Sequence, residues 1–252
     1  MQEVMPVKKA SHAVWRVLLW GLCLLLIGCG PLSGSGRAPG VDAADLRKAL
    51  QPLVDEWRTE NGVPGLALVL SLREGDPVTI AAGIADLETE KRMTGKELFD
   101  AGNITQTFVA AALLQLVDEG LVDLDDLVGE YLPDFAPGAK ITVRQVLSHT
   151  SGLPEIRDGT GTLESFFRDP GRQWTLAELL DLTGAMPAYF EPGTSFRDTD
   201  TDYIVAAAIL ERVTGSDLAT ELRQRFFEPL GLDDTFLAGL EGVRRSFMSG
   251  YL

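Results

Sequence analysis

Cysteine, histidine and basic residues are scarce in this chain. Its 252 residues include two Cys and two His, and 22 Lys and Arg stand against 37 Asp and Glu. Two cysteines are too few for a disulfide-stapled fold, and a net charge of −15 disfavours electrostatic binding to nucleic acid or anionic lipid headgroups. The 45% hydrophobic and 23% charged composition is that of one ordinary globular domain with a core.

Long apolar runs are also rare, and the one clear run lies near the start. It extends from Val17 to Ile27 and follows Lys8, Lys9 and Arg16. The run is too short for a permanent membrane anchor, which needs about 20 apolar residues. Its length and its basic flank are typical of the central part of an export signal.

The apolar run ends in Leu26-Ile27-Gly28-Cys29, which resembles the lipobox of bacterial lipoproteins. The resemblance implies that residues 1–28 are a signal peptide, that Cys23 leaves with it, and that Cys29 becomes the lipidated first residue. Gly30 implies sorting to the outer membrane, facing the periplasm, in a cell with two membranes. The alternative is an ordinary secretory signal followed by a coincidental cysteine.

Removal of residues 1–28 would make the chain more acidic. That segment holds three Lys or Arg and one Glu, so residues 29–252 hold 19 basic and 36 acidic residues, a net charge of −17. Membrane attachment would therefore come from acyl chains and not from charge. Residues 29–41, rich in Gly, Ser and Pro, are predicted to form a flexible tether to a domain at 42–252. The mature chain keeps one cysteine and can form no internal disulfide.

Hydrophobic periodicity predicts several helices and one hairpin after the tether. A helix is expected from Asp42 to Asn61, with an apolar stripe that includes Leu53 and Trp57. Gly65–Leu72 and Val78–Ala82 are predicted to form the hairpin. The helix that follows Gln106 and stops near Gly120 is apolar on most sides, so it should be buried. Further helices are predicted at Thr142–Ser148, Thr175–Thr183 with a Thr175–Glu178 capping box, Thr201–Val213 and Ser216–Phe227.

Two segments resemble the β-lactamase-related serine hydrolases, the group of class C β-lactamases, DD-peptidases and esterases. They read LFDAG and TFVAAALLQLVDEG on either side of residues 103–106, and ITVRQVLSHTSGLP at residues 141–154. The resemblance covers roughly residues 42–252 and implies a β-lactamase/transpeptidase-like α/β (α+β) fold. The family's motif Lys- or His-x-Gly, on a later strand, cannot be located, so the resemblance implies a fold incomplete at its C-terminus. The hairpin is then expected to keep an open edge.

Residues 103–106 read Asn-Ile-Thr-Gln where the family has Ser-x-x-Lys. Asn103 stands at the nucleophile and Gln106 at the lysine that activates it. The spacing puts both groups on one helix face, but two amides supply neither a nucleophile nor a base. Asn followed three residues later by Gln also fits a capping box, so we expect these residues to begin a helix without a catalytic role.

The family's Tyr-x-Asn motif is replaced as well. An alignment on Pro192-Gly193, Phe196 and Tyr203 puts Asp198 at the tyrosine and Asp200 at the asparagine. A carboxylate could accept a proton, but an amide at position 103 has none worth removing.

Asp198, Asp200 and Asp202 also resemble the start of an EF-hand loop. The match fails further on, because Tyr203 stands where the loop needs glycine and Ile209 where it needs glutamate. We therefore expect Asp200 or Asp202 to cap the following helix, with the other carboxylates in solvent.

The remaining candidates are one histidine and three hydroxyl residues. His149 lies in a His-Thr-Ser-Gly segment that is a structural turn in relatives, so hydrogen bonding in that loop is the expected role. Ser148, Ser151 and Thr105 are possible surrogate nucleophiles, and none has a paired base visible in the sequence.

The sequence therefore predicts a catalytically degenerate, lipid-anchored relative of the serine hydrolases in the cell envelope. Its expected partner is a peptidoglycan peptide, a β-lactam-like small molecule or a protein. One alternative is an active hydrolase with an unorthodox nucleophile or a missing half encoded elsewhere. Another is a cation-binding or interaction module. No cofactor, no metal and no nucleic acid are expected.

Overall fold

A computed structural model describes residues 42–72, 75–159, 161–169 and 172–242 of the chain. The predicted signal peptide, Cys29, the tether and the last ten residues lie outside these ranges. The described part contains a small antiparallel sheet with a covering helix, followed by a larger helical layer. This is the mixed helix-and-sheet architecture that the sequence predicts.

The first helix, α1 (Ala43–Glu60), begins and ends where the sequence predicts. The Asp42 carboxylate accepts a hydrogen bond of 2.8 Å from the backbone N–H of Ala44 and caps the helix. At the other end, Asn61 is the C-cap residue, and Gly62 takes φ of 65°, a conformation that favours glycine. Both ends are therefore fixed by short-range chemistry.

The sheet has three strands, β1 (Gly65–Leu70), β2 (Val78–Asp86) and β3 (Lys91–Arg92), in the order β1-β2-β3. The predicted hairpin is confirmed, although β2 runs beyond Ala82 and the short β3 was not predicted. Among the described residues, β1 has no strand on its outer side, so its edge is open.

Helix α1 packs on one face of this sheet. The helix contributes Leu46, Leu50 and Val54 to this contact, and the strands contribute Leu68 and Ile80. The predicted apolar stripe was too wide, because Leu53 and Trp57 are 55% and 45% exposed. The hairpin is narrow and covers only part of the apolar face of the helix.

The helical layer contains the main core. It comprises α2 (Ile104–Asp118), α3 (Val128–Tyr131), α4 (Val143–Leu147), α5 (Thr162–Arg168), α6 (Leu176–Gly184), α7 (Asp200–Thr214) and α8 (Leu218–Leu222), with a π-helical turn at Arg223–Phe227. Helices α2 and α7 lie side by side at its centre, and Leu113, Leu116, Ile209 and Leu210 are fully buried. The prediction that α2 is a buried helix is confirmed.

Two of the helix-start predictions had opposite outcomes. Thr175 and Glu178 form the predicted capping box at α6, through hydrogen bonds of 3.2 and 2.9 Å. The capping box at Asn103 and Gln106 was wrong. Asn103 has helical backbone angles, so its side chain does not cap, and the first amides of α2 instead donate to backbone carbonyls of residues 101–103.

The last predicted helix, Ser216–Phe227, is divided into two. An α-helical part at Leu218–Leu222 is capped by Asp217 and continues into the π-helical turn. Phe108 of α2 packs edge-on against Phe226 and Phe227 of this turn, with ring centroids 5.9 and 5.4 Å apart. Within the described ranges, no helix is both long enough and apolar enough to cross a membrane.

Candidate functional site

Three of the four predicted site residues lie together at the starts of α2 and α7. Asn103 directly precedes α2, Gln106 lies in its first turn, and Asp200 is the first residue of α7. The Gln106 side-chain Nε2 lies 3.4 Å from Asp200 Oδ1, at the long end of the hydrogen-bond range. The fold thus joins two positions that are 94 residues apart in the chain.

These residues line a cleft of about 310 Å³ where the starts of α2, α6, α7 and α8 meet. We call it the α2/α7 cleft. Its lip is polar and is formed by Asn103, Thr105, Gln106 and Asp200. Its remaining wall is mostly apolar and includes Val109, Leu176, Ile204, Ala207 and Leu218. The cleft could therefore hold a small molecule with one polar and one apolar end.

Asp200 is held by groups from the segment after the His-Thr-Ser-Gly turn. Its backbone N–H donates to Glu155 Oε2 at 2.9 Å, and its Oδ2 lies 3.1 Å from Arg157 Nη2. Burial, and then the nearby carboxylates of Glu155 and Asp198, raise the pKa of Asp200, while Arg157 acts in the opposite direction. The carboxylate is one-third exposed, so it remains accessible from the cleft.

Asp198, the fourth predicted site residue, does not line the α2/α7 cleft. Its side chain is 61% exposed, and its Oδ1 lies 3.5 Å from His149 Nε2. It therefore lies beside the histidine and is not placed to act on position 103 through Gln106.

The carboxylate of Asp202 is buried, which the sequence did not predict. Asp202 is 1% exposed, and the prediction that it caps α7 or lies in solvent was wrong. Its Oδ2 accepts from the Thr199 hydroxyl at 3.1 Å and contacts His149 Nδ1 at 2.9 Å, while its Oδ1 accepts from Ser151. Burial raises the pKa of Asp202, and these hydrogen bonds act against that rise.

The expected structural role of His149 is confirmed. Its side chain hydrogen-bonds to Asp202, and its backbone carbonyl accepts from the N–H of Arg197. The sequence could not reveal the pairing, because the two side chains are 53 residues apart. Glu155 and Arg157 were missed for the same reason. The only signal in the sequence was the alternation of Asp198, Asp200 and Asp202, which marked their segment as a possible site.

The possible surrogate nucleophiles are poorly placed. The Ser148 hydroxyl donates to the backbone carbonyl of Arg144 at 2.8 Å, and Ser151 is buried against Asp202. Thr105 does line the α2/α7 cleft, but no lysine or histidine is among the described residues that line it. The one carboxylate among these described lining residues, Asp200, is already paired with Arg157.

The three alternate carboxylates do not all meet at one point. Asp198 and Asp202 contact opposite nitrogens of the His149 ring, whereas Asp200 lies beside Arg157. In the part of the chain that the structure describes, no group of three or more His, Cys, Asp and Glu side chains is arranged to hold a metal ion.

The fold is that of the serine hydrolases with the β-lactamase/transpeptidase fold. The chain belongs to the β-lactamase family, whose model, described as "Beta-lactamase", matches residues 46–251. Asn103, Gln106, Asp198 and Asp200 fall inside the matched range.

Individual relatives support the same assignment. The chain is 32% identical over 199 residues to penicillin-binding protein 4 of Amycolatopsis lactamdurans, over 77% of this chain and 50% of that protein. It is 31% identical over 216 residues to esterase EstB of Burkholderia gladioli, over 81% of this chain and 55% of that protein.

A solved structure agrees with the fold. The D-amino acid amidase from Ochrobactrum anthropi SV3 matches with a TM-score of 0.69 and 32% identity, over 79% of this chain and 55% of that chain. The chain thus spans about half the length of the relatives it matches.

Proposed function

We propose that this protein is a catalytically degenerate member of the β-lactamase family that binds a ligand in the α2/α7 cleft without forming a covalent intermediate. The observation that carries the proposal is the contact between Gln106 and Asp200 at 3.4 Å, next to Asn103. By the resemblance, Gln106 stands at the family's activating lysine and Asp200 at the asparagine of its Tyr-x-Asn motif, beside an amide at the nucleophile position. The remaining cleft is still open to a small molecule.

The chemistry of these groups supports binding over turnover. Acyl transfer needs a group that attacks a carbonyl and a neighbour that takes its proton, and an Asn–Gln pair provides neither. Loss of such a nucleophile costs roughly 10⁶-fold in kcat, whereas binding contacts survive it. Asp200 has a raised pKa, but its carboxylate is already engaged by Arg157 and Gln106.

The proposed setting is the cell envelope. The basic start, the short apolar run and Cys29 support export and lipid anchoring, with the outer membrane, facing the periplasm, as the expected site. Relatives of the chain include penicillin-binding proteins and a D-amino acid amidase. A peptide fragment of the cell wall or a β-lactam-like small molecule is therefore the class of partner we propose.

Covalent labelling tests this function directly. The full chain is incubated with a fluorescent penicillin and its intact mass is measured. We expect no covalent adduct, and saturable reversible binding of cell-wall peptide fragments by calorimetry. Stoichiometric acylation of any residue between Asn103 and Asp202 would replace this proposal with an active hydrolase that uses an unorthodox nucleophile.

A further inference from the structure

A second cavity, of about 320 Å³, lies between α6 and the segment that contains the end of α3. One wall is a single face of α6, where the lining residues are spaced by three and four: Ala177, Leu180, Asp181 and Gly184. The opposite wall is formed by residues 131–136, and Arg212 of α7 completes the lining. We call this cavity the α3/α6 pocket. None of the described residues that line it also lines the α2/α7 cleft, so the two are separate sites.

The walls of the α3/α6 pocket are mainly apolar and include two aromatic residues. Phe135 is 6% exposed and belongs to the main core, so its ring is held by packing. The Tyr131 hydroxyl donates to Asp126 Oδ2 at 2.5 Å and accepts from the backbone N–H of Asp123 at 3.2 Å, which holds the second ring. Gly184 contributes no side chain, and a Cβ there would lie 3.5 Å from the Phe135 ring. The pocket therefore combines an aliphatic surface with two fixed aromatic rings.

The pocket is also lined by three charged side chains that have no protein partner. Asp134, Asp181 and Arg212 are exposed, and none of them makes a hydrogen bond or an ion pair with another described residue. Two carboxylates and one guanidinium give the lining a net charge of −1. The whole chain carries −15, so the wider field has the same sign. A cation is therefore favoured over an anion in this pocket.

The aromatic and aliphatic walls restrict the kind of cation. A metal ion does not fit, because no group of three or more His, Cys, Asp and Glu side chains among the described residues is arranged to hold one. A primary ammonium would have to give up hydrogen bonds to water against a mainly apolar wall. A quaternary ammonium has no N–H group to satisfy, and the faces of aromatic rings attract it.

We propose that the α3/α6 pocket binds a small organic cation in which a quaternary ammonium group is attached to an apolar body. The ammonium methyl groups would contact the rings of Tyr131 and Phe135, within about 6 Å of a ring centre. Asp134 and Asp181 would balance the charge, and the apolar body would contact Leu180. Arg212 opposes the cation, so it limits the affinity.

Matched compounds test the ligand class on the full chain, with binding followed by nuclear magnetic resonance titration. Choline and 3,3-dimethylbutan-1-ol have the same shape, but a carbon replaces the charged nitrogen in the second. We expect choline to bind at least about fivefold more tightly, because the alcohol has no charge for the rings and carboxylates to attract. Phenyltrimethylammonium should bind about fivefold more tightly than tetramethylammonium, because it buries an apolar body as well.

Variants locate the binding in the α3/α6 pocket. The double variant Asp134→Asn, Asp181→Asn should weaken choline binding about fivefold and leave the binding of 3,3-dimethylbutan-1-ol unchanged, because only the charge is removed. Arg212→Gln should strengthen choline binding about twofold, because the opposing charge is lost. Gly184→Leu places a side chain beside Phe135 and should abolish binding of every compound. The control is Asp118→Asn, at an exposed residue of α2 that does not line the pocket, and it should have no effect.

Two results would overturn the assignment. One is equal affinity for choline and 3,3-dimethylbutan-1-ol. The other is a double Asp134→Asn, Asp181→Asn variant that folds normally by circular dichroism and binds choline as tightly as the parent. Neither result bears on the α2/α7 cleft, whose proposed function is tested separately by penicillin labelling.

Discussion

His149 Nδ1 lies 2.9 Å from Asp202 Oδ2, and this contact joins the loop after α4 to the first turn of α7. His149 takes φ of 55°, a left-handed conformation that is uncommon outside glycine. Its backbone carbonyl also accepts from Arg197 at 3.0 Å, just before the segment that leads into α7. The pair therefore fixes an unfavourable turn and, through α7, the position of Asp200.

Asp202→Ala should destabilise the protein strongly. It would leave His149, Ser151 and Thr199 without their buried acceptor, and such losses cost on the order of 3 kcal/mol in the free energy of unfolding. Urea denaturation followed by circular dichroism measures the change. Asp118→Ala, at an exposed carboxylate, is the matched control and should leave the midpoint unchanged. Equal midpoints for both variants would contradict the structural role of Asp202.

The stability of the fold should depend on pH through Asp202. Since burial raises its native pKa, the native state keeps this proton at pH values where the unfolded chain has already lost it. The contribution of Asp202 to the unfolding free energy therefore falls as pH rises from about 4 through the raised native pKa. Asp202→Asn cannot titrate, so its stability curve should lack that decline. If the unfolding free energies of the wild type and Asp202→Asn change in parallel between about pH 4 and about pH 7, the raised pKa of Asp202 is contradicted.

The outline of the fold could be predicted because its signals are local. Asp42 and Asn61 bound α1 as expected. At α6, Thr175 and Glu178 form the expected capping box within four consecutive residues. The width of the buried face of α1 could not be predicted, because Trp57 is left exposed by the narrowness of the hairpin and not by its own position in the periodicity. Local chemistry fixes helix ends, whereas burial depends on what the rest of the chain supplies.

The candidate site was predictable only in part. Resemblance placed Asn103, Gln106 and Asp200 at one site, and the structure does bring them together. The resemblance could not reveal that Asp198 faces His149, nor that Asp202 is buried. The three carboxylates alternate in the sequence, but Asp198 and Asp202 contact opposite nitrogens of His149 while Asp200 pairs with Arg157, and no spacing rule contains that information.

Lipid anchoring leads to a prediction about Cys29. Acylation adds about 0.8 kcal/mol of membrane affinity for each buried CH₂ group, so several chains should hold the protein firmly. In a bacterial host, the wild type should incorporate labelled fatty acid and partition with membranes, whereas Cys29→Ser should do neither. Cys23→Ser serves as the control and should behave as the wild type. Unlipidated wild type in the soluble periplasmic or culture fraction would contradict the anchor.

The open edge of β1 should make the described domain prone to self-association. Edge strands with uncharged side chains pair readily with other chains, and β1 (Gly65–Leu70) carries no charge. The unlipidated protein should therefore oligomerise, or exchange its hairpin amides rapidly. Val69→Lys, at a residue that is 57% exposed, should reduce the oligomer in light scattering, because a lysine on the edge opposes pairing.

A buried position provides the control for the edge variant. Val78→Lys, at a fully buried valine in β2, should unfold the hairpin instead of merely dissociating an oligomer. A wild type that is monomeric, melts cooperatively and protects its β1 amides strongly from hydrogen exchange would show that the edge is not exposed in solution.

Restoring the family motif should fail to restore acylation. Asn103→Ser supplies a hydroxyl, but Gln106 cannot take its proton, and groups that act as a unit do not recover activity singly. The double variant with Gln106→Lys places an amine one turn away, beside Asp200, whose carboxylate lies 3.4 Å from the present Gln106 nitrogen. That carboxylate would stabilise the charged, non-basic form of the lysine.

A third substitution, Asp198→Tyr, completes the test. Position 198 lies beside His149 and not in the α2/α7 cleft, so a tyrosine introduced there would not readily reach the new lysine. Fluorescent penicillin should therefore label neither the wild type nor the single variant, and should label the triple variant only weakly. Measurement of intact mass after labelling, with each variant checked for folding, gives the acylated fraction. Rapid and complete acylation of the triple variant would show that the three substitutions alone silence an otherwise competent site.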